Sequence, residues 1–213
     1  YQPKVDLANG RMIGMEALLR WHDAEGRLQF PAKVSEAFND YDLASGIGEM
    51  MQTKVFADMA RWRACGLPLV PVSINVTPVE FLRGDFARGL LARMRHFNIP
   101  PPWIEIEVTE QMLSSRHAEF IARDLRLLKA QGVIITLDDF GTGHSSFTHL
   151  RDYPIDALKI DSGFVRRIDV DPSSLAVVKA VIALGALFQV KVIAEGVETE
   201  VQRQLLQEAG CLW

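Results

Sequence analysis

Eight polar residues stand at or near the ends of short apolar runs: Glu16, Asn75, Glu107, Asp138, Asp139, Lys159, Asp161 and Glu195. In extended chain, side chains alternate between two faces, so each run can be split. Around Glu16 the split sets Met15, Ala17 and Leu19 against Glu16, Leu18 and Arg20. It sets Val72, Ile74 and Val76 against Ser73, Asn75 and Thr77, and Ile104, Ile106 and Val108 against Glu105, Glu107 and Thr109. Ile135 and Leu137 oppose Thr136 and Asp138; Leu158 and Ile160 oppose Lys159 and Asp161; Val192 and Ala194 oppose Ile193 and Glu195. Alternation puts Asp139 opposite Asp138 unless the chain bends there. A lone acid at such a position reads as a cap or a solvated residue. Six acids brought to one mouth would repel one another and raise one another's pKa values, and Lys159 and Arg20 offset only part of that charge. Hard divalent cations such as Mg²⁺ or Mn²⁺ are the natural counter-charge for carboxylate and amide oxygens. Two such ions roughly 3.5–4 Å apart can activate a water and stabilise the leaving oxygen of an in-line phosphoryl displacement. The pattern supports a metal site; it does not by itself name a substrate.

The elements that must bring these residues together are legible as alternating strands and helices. Runs at Gln2–Leu7, Gly14–Trp21, Val70–Thr77, Trp103–Glu110, Ile134–Phe140, Ala157–Asp161 and Lys191–Val197 read as strands. Between them, Ile47–Arg63, Phe86–His96, Ala118–Gln131, Pro172–Phe188 and Val201–Ala209 have helical spacing. Gly66-Leu67-Pro68 and Gly132 are stop signals, Asp171-Pro172 offers a cap followed by Pro in the first turn, and Thr199 can cap the last helix. Such alternation predicts βαβ units and a largely parallel sheet. The connection Ala8-Asn9-Gly10-Arg11 has no room for a helix, so the first two strands form an antiparallel hairpin. The expected fold is α/β, a TIM-like barrel with an antiparallel first strand, whose C-terminal rim is where active sites sit. With no low-complexity segment or linker, residues 1–213 read as a single domain.

The net charge of -4 over 213 residues argues against duplex nucleic acid, which needs a basic footprint. A small anionic ligand is compatible, because metal ions supply positive charge locally. Two cysteines, Cys65 and Cys211, are too few for a disulfide framework and fit a reducing, cytoplasmic compartment. No apolar run approaches the ~18 residues of a membrane helix, and no leader opens the chain. A first residue of Tyr1 suggests a piece of a longer protein, which could be membrane-anchored elsewhere.

At these same residues the chain resembles the EAL domain family, bacterial phosphodiesterases that linearise cyclic di-GMP to pGpG. The matching pieces occur in order: Tyr1-Gln2-Pro3, Glu16-Ala17-Leu18-Leu19-Arg20-Trp21, Ser73-Ile74-Asn75-Val76, Glu107-Val108-Thr109-Glu110, Asp138-Asp139-Phe140-Gly141-Thr142-Gly143, Leu158-Lys159-Ile160-Asp161 and Ala194-Glu195-Gly196-Val197-Glu198-Thr199. The resemblance implies that Glu16, Asn75, Glu107 and Asp138 hold one metal. Asp138 and Asp139 would hold a second, with Asp138 bridging and Asp161 in support. Lys159 would orient the attacking water, and Glu195 would assist as base or bind metal through water. Gln2, Leu19 and Arg20 would contact substrate, Arg20 by offering a planar fork of donors to phosphate. Glu110 would pin the loop Phe140–Ser146, where Gly141 and Gly143 permit backbone shapes closed to other residues. In the family that loop couples metal binding to dimerisation, so a homodimer and flanking sensory or cyclase domains are expected partners.

One departure lies at the C-terminus. The family continues past a Gly-Cys-Asp-like stretch to an eighth strand carrying a Gln-Gly motif, whereas here Leu212 follows Gly210-Cys211 and Trp213 is last. The barrel is therefore expected to be truncated before that strand, with a gap between its seventh and first strands. His144 stands where the family usually has Tyr. Two function classes follow: a metal-dependent cyclic di-GMP phosphodiesterase, or a non-catalytic cyclic di-GMP receptor or protein-interaction scaffold of the same fold. The full set of metal-binding and water-orienting residues favours catalysis; the absent strand is the counter-observation. His22, His96, His117 and His149 lack metal-ligand spacing and read as surface residues.

Overall fold

Gly10 takes the left-handed backbone (φ 68°) that lets Asp6 and Arg11 close a tight turn, with Asp6 N donating to Arg11 O at 2.9 Å. On either side run β1 (Gln2–Val5) and β2 (Met12–Ala17), paired antiparallel with Gln2 opposite Glu16. The computed structural model describes residues 1–141 and 147–213, with the backbone alone at 147. After β2 come a small ribbon of β3 (Trp21–His22) and β4 (Leu28–Gln29), a 3-10 segment over Pro31–Asn39, and α1 (Tyr41–Ala64). There follow β5 (Val72–Asn75), α2 (Phe86–His96), β6 (Ile104–Thr109), α3 (Glu110–Leu113), α4 (Ala118–Ala130) and β7 (Ile134–Phe140). The chain continues through α5 (Phe147–Asp152), β8 (Ala157–Ile160), α6 (Ser162–Val165), α7 (Pro172–Phe188), β9 (Lys191–Ala194) and α8 (Glu200–Glu208).

Among the described residues, seven strands make one sheet in the order β1-β2-β5-β6-β7-β8-β9, parallel throughout after the first pair. The sheet curls. Lys4 on β1 reaches Glu105 and Glu107 on β6, three strands away, at 2.8 Å each, and Lys159 on β8 reaches Glu16 on β2 at 3.3 Å. Such contacts are possible only across the concave side of a barrel-like arc. That side is polar because Lys4, Ser73, Glu105, Glu107, Thr136 and Lys159 face it. The convex face presents Ile104, Ile106, Val108, Ile135, Leu137 and Leu158, all essentially buried, to the covering helices. The coating helices demand the apolar convex face; the polar lumen departs from the branched apolar filling of an ordinary barrel interior.

The predicted caps at Asp171 and Thr199 are in place, and the structure adds a third at Asp40. Asp40 accepts from Leu43 N to start α1, Asp171 accepts from Ser173 N beside Pro172, and Thr199 forms a reciprocal capping box with Gln202. Other boundaries differ from the sequence reading. The run Gly14–Trp21 is not one strand: β2 ends at Ala17, and Trp21–His22 pairs with Leu28–Gln29 instead. The Asp23 carboxylate, which accepts from Glu25 N and Arg27 N, builds a turn that gives Trp21–His22 a partner of its own. Apolar alternation alone does not reveal which partner a strand takes. His149 is 7% exposed, a correction to its reading as a surface residue: its ring packs edge-on against Tyr153 and meets Ser114 Oγ at 3.2 Å.

The two edges of the arc, β1 and β9, do not pair with each other. The last residues cross between them: Leu212 O accepts from Leu7 N at 2.9 Å, and Trp213 O accepts from Ala194 N at 2.8 Å. Between the edges lies a cleft of about 520 Å³ that opens onto Glu16, Lys159 and Glu195. This is the expected gap between first and seventh barrel strands.

One buried acid lies away from this mouth. Glu80 follows β5 and accepts through Oε2 from Thr77 N at 2.7 Å and Thr77 Oγ1 at 2.9 Å. Its other oxygen faces α1 at Gly48, where any side chain would collide with it. Burial raises the Glu80 carboxyl from an ordinary 4.5 to about 7. The folded state therefore holds this proton more tightly than the unfolded chain. The resulting stability is full below pH 4.5 and lost as pH rises through about 7. At about 1.4 kcal/mol per unit, the loss reaches up to about 3 kcal/mol. Glu80→Gln should melt like wild type near pH 5 and at a higher temperature above pH 8. Coincident melting curves at both pH values would contradict the assignment.

Candidate active site

The C-terminal ends of β2, β5, β6, β7, β8 and β9 converge, and Lys159 lies at the focus. Its side chain is 2% exposed, and Nζ sits 2.5 Å from Glu195, 2.8 Å from Glu107, 3.1 Å from Asp138 and 3.3 Å from Glu16. Burial alone would discharge this ammonium; the four carboxylates, led by Glu107, overcome it and hold the lysine charged, its pKa well above the ordinary value. Glu107 shows the converse. Its burial favours the neutral acid, but Lys159 on Oε2 and Lys4 on Oε1, each at 2.8 Å, keep it ionised and its pKa below the ordinary value.

Around this pair the acids differ according to their surroundings. Burial and then the neighbouring Glu107 push Glu16 up, although it accepts from Asn75 Nδ2 at 2.7 Å. That hydrogen bond leaves the Asn75 amide oxygen available as a donor atom. Burial also raises Glu195 to about 7, even with Lys159 beside it. Asp139 is raised by burial and then by Asp138 and Asp161. Asp161 caps α6, with Oδ1 accepting from Gly163 N at 2.9 Å.

Strict alternation would put Asp139 on the far face from Asp138, and the chain does bend there. Asp139 has φ 56°, and the pairing of β7 with β8 slips between Leu137 and Phe140. This bulge-like irregularity turns Asp139 to the same mouth. Oxygens of Asp138, Asp139 and Glu195 lie within 4.8 Å of one another. Gly141 has φ 105°, and a Cβ there would stand 3.1 Å from the Phe164 ring, so glycine is required. Gly143 and His144 lie outside the described residues. Glu110 is buried at the start of α3, directly after β6.

The expected substrate contacts divide. Gln2 pairs with Glu16 across the hairpin and lines the 520 Å³ cleft. Leu19 lies past the end of β2 and lines an apolar cavity of about 270 Å³ with Leu18, Pro31, Phe38, Met51 and Asn75. Arg20 is exposed, its guanidinium 4.6 Å from the centre of the Phe30 ring, with Nη1 donating to Leu19 O at 2.7 Å. Because β2 stops at Ala17, strand phase does not extend to Arg20. Lys4 and Glu105 are members of the constellation that the sequence reading passed over. The signal was available: alternation along β1 sets Lys4 on the face of Gln2, opposite the mouth-lining β2.

The EAL domain family model matches residues 1–213. The chain belongs to the EAL domain family. Over 211 residues this EAL domain is 36% identical to the bifunctional diguanylate cyclase/cyclic di-GMP phosphodiesterase MucR of Pseudomonas aeruginosa, covering 99% of this chain and 31% of MucR. It is 31% identical over 211 residues to the cyclic di-GMP phosphodiesterase RocR of the same organism, covering 99% of this chain and 53% of RocR. The solved structure of the PaMucR phosphodiesterase in a c-di-GMP complex aligns with a TM-score of 0.91 at 35% identity, covering 100% of this chain and 85% of that one. The curled α/β sheet is thus that of EAL barrel domains, while the chain spans about a third of MucR's length and about half of RocR's. Among the described residues, no helix is long and apolar enough to cross a membrane.

Proposed function

We propose that this EAL domain is a metal-dependent phosphodiesterase that hydrolyses cyclic di-GMP to linear pGpG. The observation that carries the reading is the ring of four carboxylates around the buried Lys159 ammonium, adjoining the Asp138–Asp139–Glu195 oxygen cluster. The donor set is all oxygen, from carboxylates and one amide, which suits Mg²⁺ or Mn²⁺. Glu16, Asn75, Glu107 and Asp138 would hold one ion, and Asp138 and Asp139, supported by Asp161, the second. Bound there, the ions supply Lewis-acid charge stabilisation and a more acidic water.

The chain's own residues supply the rest. The Lys159 ammonium donates to the attacking water and orients it. Glu195, raised to about 7, is suited to take a proton near neutral pH. Water delivers hydroxyl to phosphorus and a proton to the departing ribose oxygen, so one P–O bond forms as another breaks. The Arg20 fork, exposed beside Phe30, and Gln2 engage phosphate and substrate edges. The apolar cavity at Leu19 takes one guanine base. MucR and RocR, whose names state cyclic di-GMP phosphodiesterase activity, support the substrate class. We read residues 1–213 as one barrel unit of a longer, cytoplasmically acting protein, with sensory or cyclase domains alongside and a homodimer coupled to the loop after Phe140.

The test is to incubate the purified chain with cyclic di-GMP and Mn²⁺ or Mg²⁺ and quantify pGpG by chromatography. Glu16→Ala and chelation should each lower the product at least about 100-fold, the scale of losing one ion's charge stabilisation. Folded protein that binds cyclic di-GMP without forming pGpG would move the assignment to a receptor.

A further inference from the structure

Alternation along the antiparallel first strand sets Lys4 on the mouth-lining face, and the curl of the sheet ties its charge to the site. Lys4 Nζ lies 2.8 Å from Glu105 Oε1 and 2.8 Å from Glu107 Oε1, and its side chain is 9% exposed. Its stem crosses the hairpin over Gly14, its register partner; a Cβ on Gly14 would touch Lys4 Cδ at 3.6 Å and Lys4 Cβ at 3.8 Å. Both are ordinary van der Waals distances, and the tightest approach of such a Cβ, 3.3 Å, is to Pro71 O. Glu105, one layer below the mouth, is further held by Thr136 Oγ1 at 2.5 Å.

The two oxygens of Glu107 therefore have different holders. Lys159 meets Oε2 at the mouth, and Lys4 grips Oε1 from beneath. We propose that Lys4 is a positioning residue for the metal site: it locks the Glu107 carboxylate in one orientation, so that the mouth-facing oxygen is presented to a divalent cation. This inference rests on the metal-site reading above. A carboxylate pinned through one oxygen loses less rotational freedom when the other binds a cation, and removing such a support costs typically 10–100-fold in metal affinity. The competing explanation is that Lys4 merely neutralises the buried Glu105, in which case its loss would act through stability alone.

The experiment separates the two. Mn²⁺ binding is measured by calorimetry and melting temperature by scanning fluorimetry for wild type, Lys4→Met, Glu105→Gln and the double variant Lys4→Met/Glu105→Gln. Lys4→Met leaves Glu105 and Glu107 under-compensated and should melt lower. The double variant removes the buried Glu105 charge and should recover much of the melting temperature. Mn²⁺ affinity should be 10–100-fold weaker in both variants that lack Lys4 and near wild type in Glu105→Gln. Affinity that recovers together with stability in the double variant would overturn the positioning role, as would unchanged affinity in Lys4→Met. A wild-type chain that binds no Mn²⁺ would instead overturn the metal-site reading, and this inference with it.

Discussion

Lys159→Met is expected to lower kcat on cyclic di-GMP by at least about 100-fold, the range lost with a positioned proton-handling group, without weakening Mn²⁺ binding. The ammonium and a divalent cation compete for the same oxygens, since Nζ touches Glu16, Glu107, Asp138 and Glu195 at once. Methionine keeps the length of the stem and removes the competitor, so affinity for Mn²⁺ should rise. The cost falls on the fold. Four carboxylates lose their shared counter-charge, and breaking a buried pair costs about 3–5 kcal/mol. The variant should melt well below wild type in chelator and recover when Mn²⁺ is added, because the ion takes over the neutralisation. Mn²⁺ binding that disappears together with activity would show that Lys159 assembles the site instead of competing for it.

Asp139 should separate chemistry from backbone. Its φ of 56° lies in the left-handed region, which Asn and Asp tolerate better than other residues with a Cβ. Asp139→Asn keeps that conformation and removes one charge from beside Asp138 and Asp161, both of which push the Asp139 carboxyl up. It should therefore be no less stable than wild type, while pGpG formation falls at least about 100-fold through loss of a charged ligand. Asp139→Ala should lose activity to the same degree and also about 1–2 kcal/mol of stability, the cost of left-handed backbone with an ordinary side chain. Wild-type turnover in Asp139→Asn would remove Asp139 from the metal site.

Most of the site was legible because strand chemistry is periodic. Glu16, Asn75, Glu107, Asp138 and Lys159 fell on one face by simple alternation, and all lie at one mouth. Asp139 was not assignable that way: a single left-handed residue reverses its phase, and nothing in local hydrophobicity announces it. The early end of β2 was hidden for a related reason. Leu18 to Trp21 continue an alternating pattern, yet the turn at Asp23 offers Trp21–His22 another partner, and partner choice is non-local. Lys4 was overlooked because a lysine near the chain start normally reads as solvated; only the curl of the sheet brings it against acids three strands away.

The amino-acid sequence by itself determined the order and type of the main elements, the hairpin at its start and the caps at Asp171 and Thr199, because these follow from periodicity, turn residues and local side-chain-to-backbone hydrogen bonds; the family resemblance rested separately on its ordered motifs. Only the tertiary structure decided which charges meet. It put Lys159 among four carboxylates, divided Glu107 between two lysines, turned Asp139 to the mouth and raised Glu80 and Glu195 to about 7. The reason is that burial and charge proximity depend on distances across the barrel, and residues far apart in the chain acquire those distances only when the sheet curls.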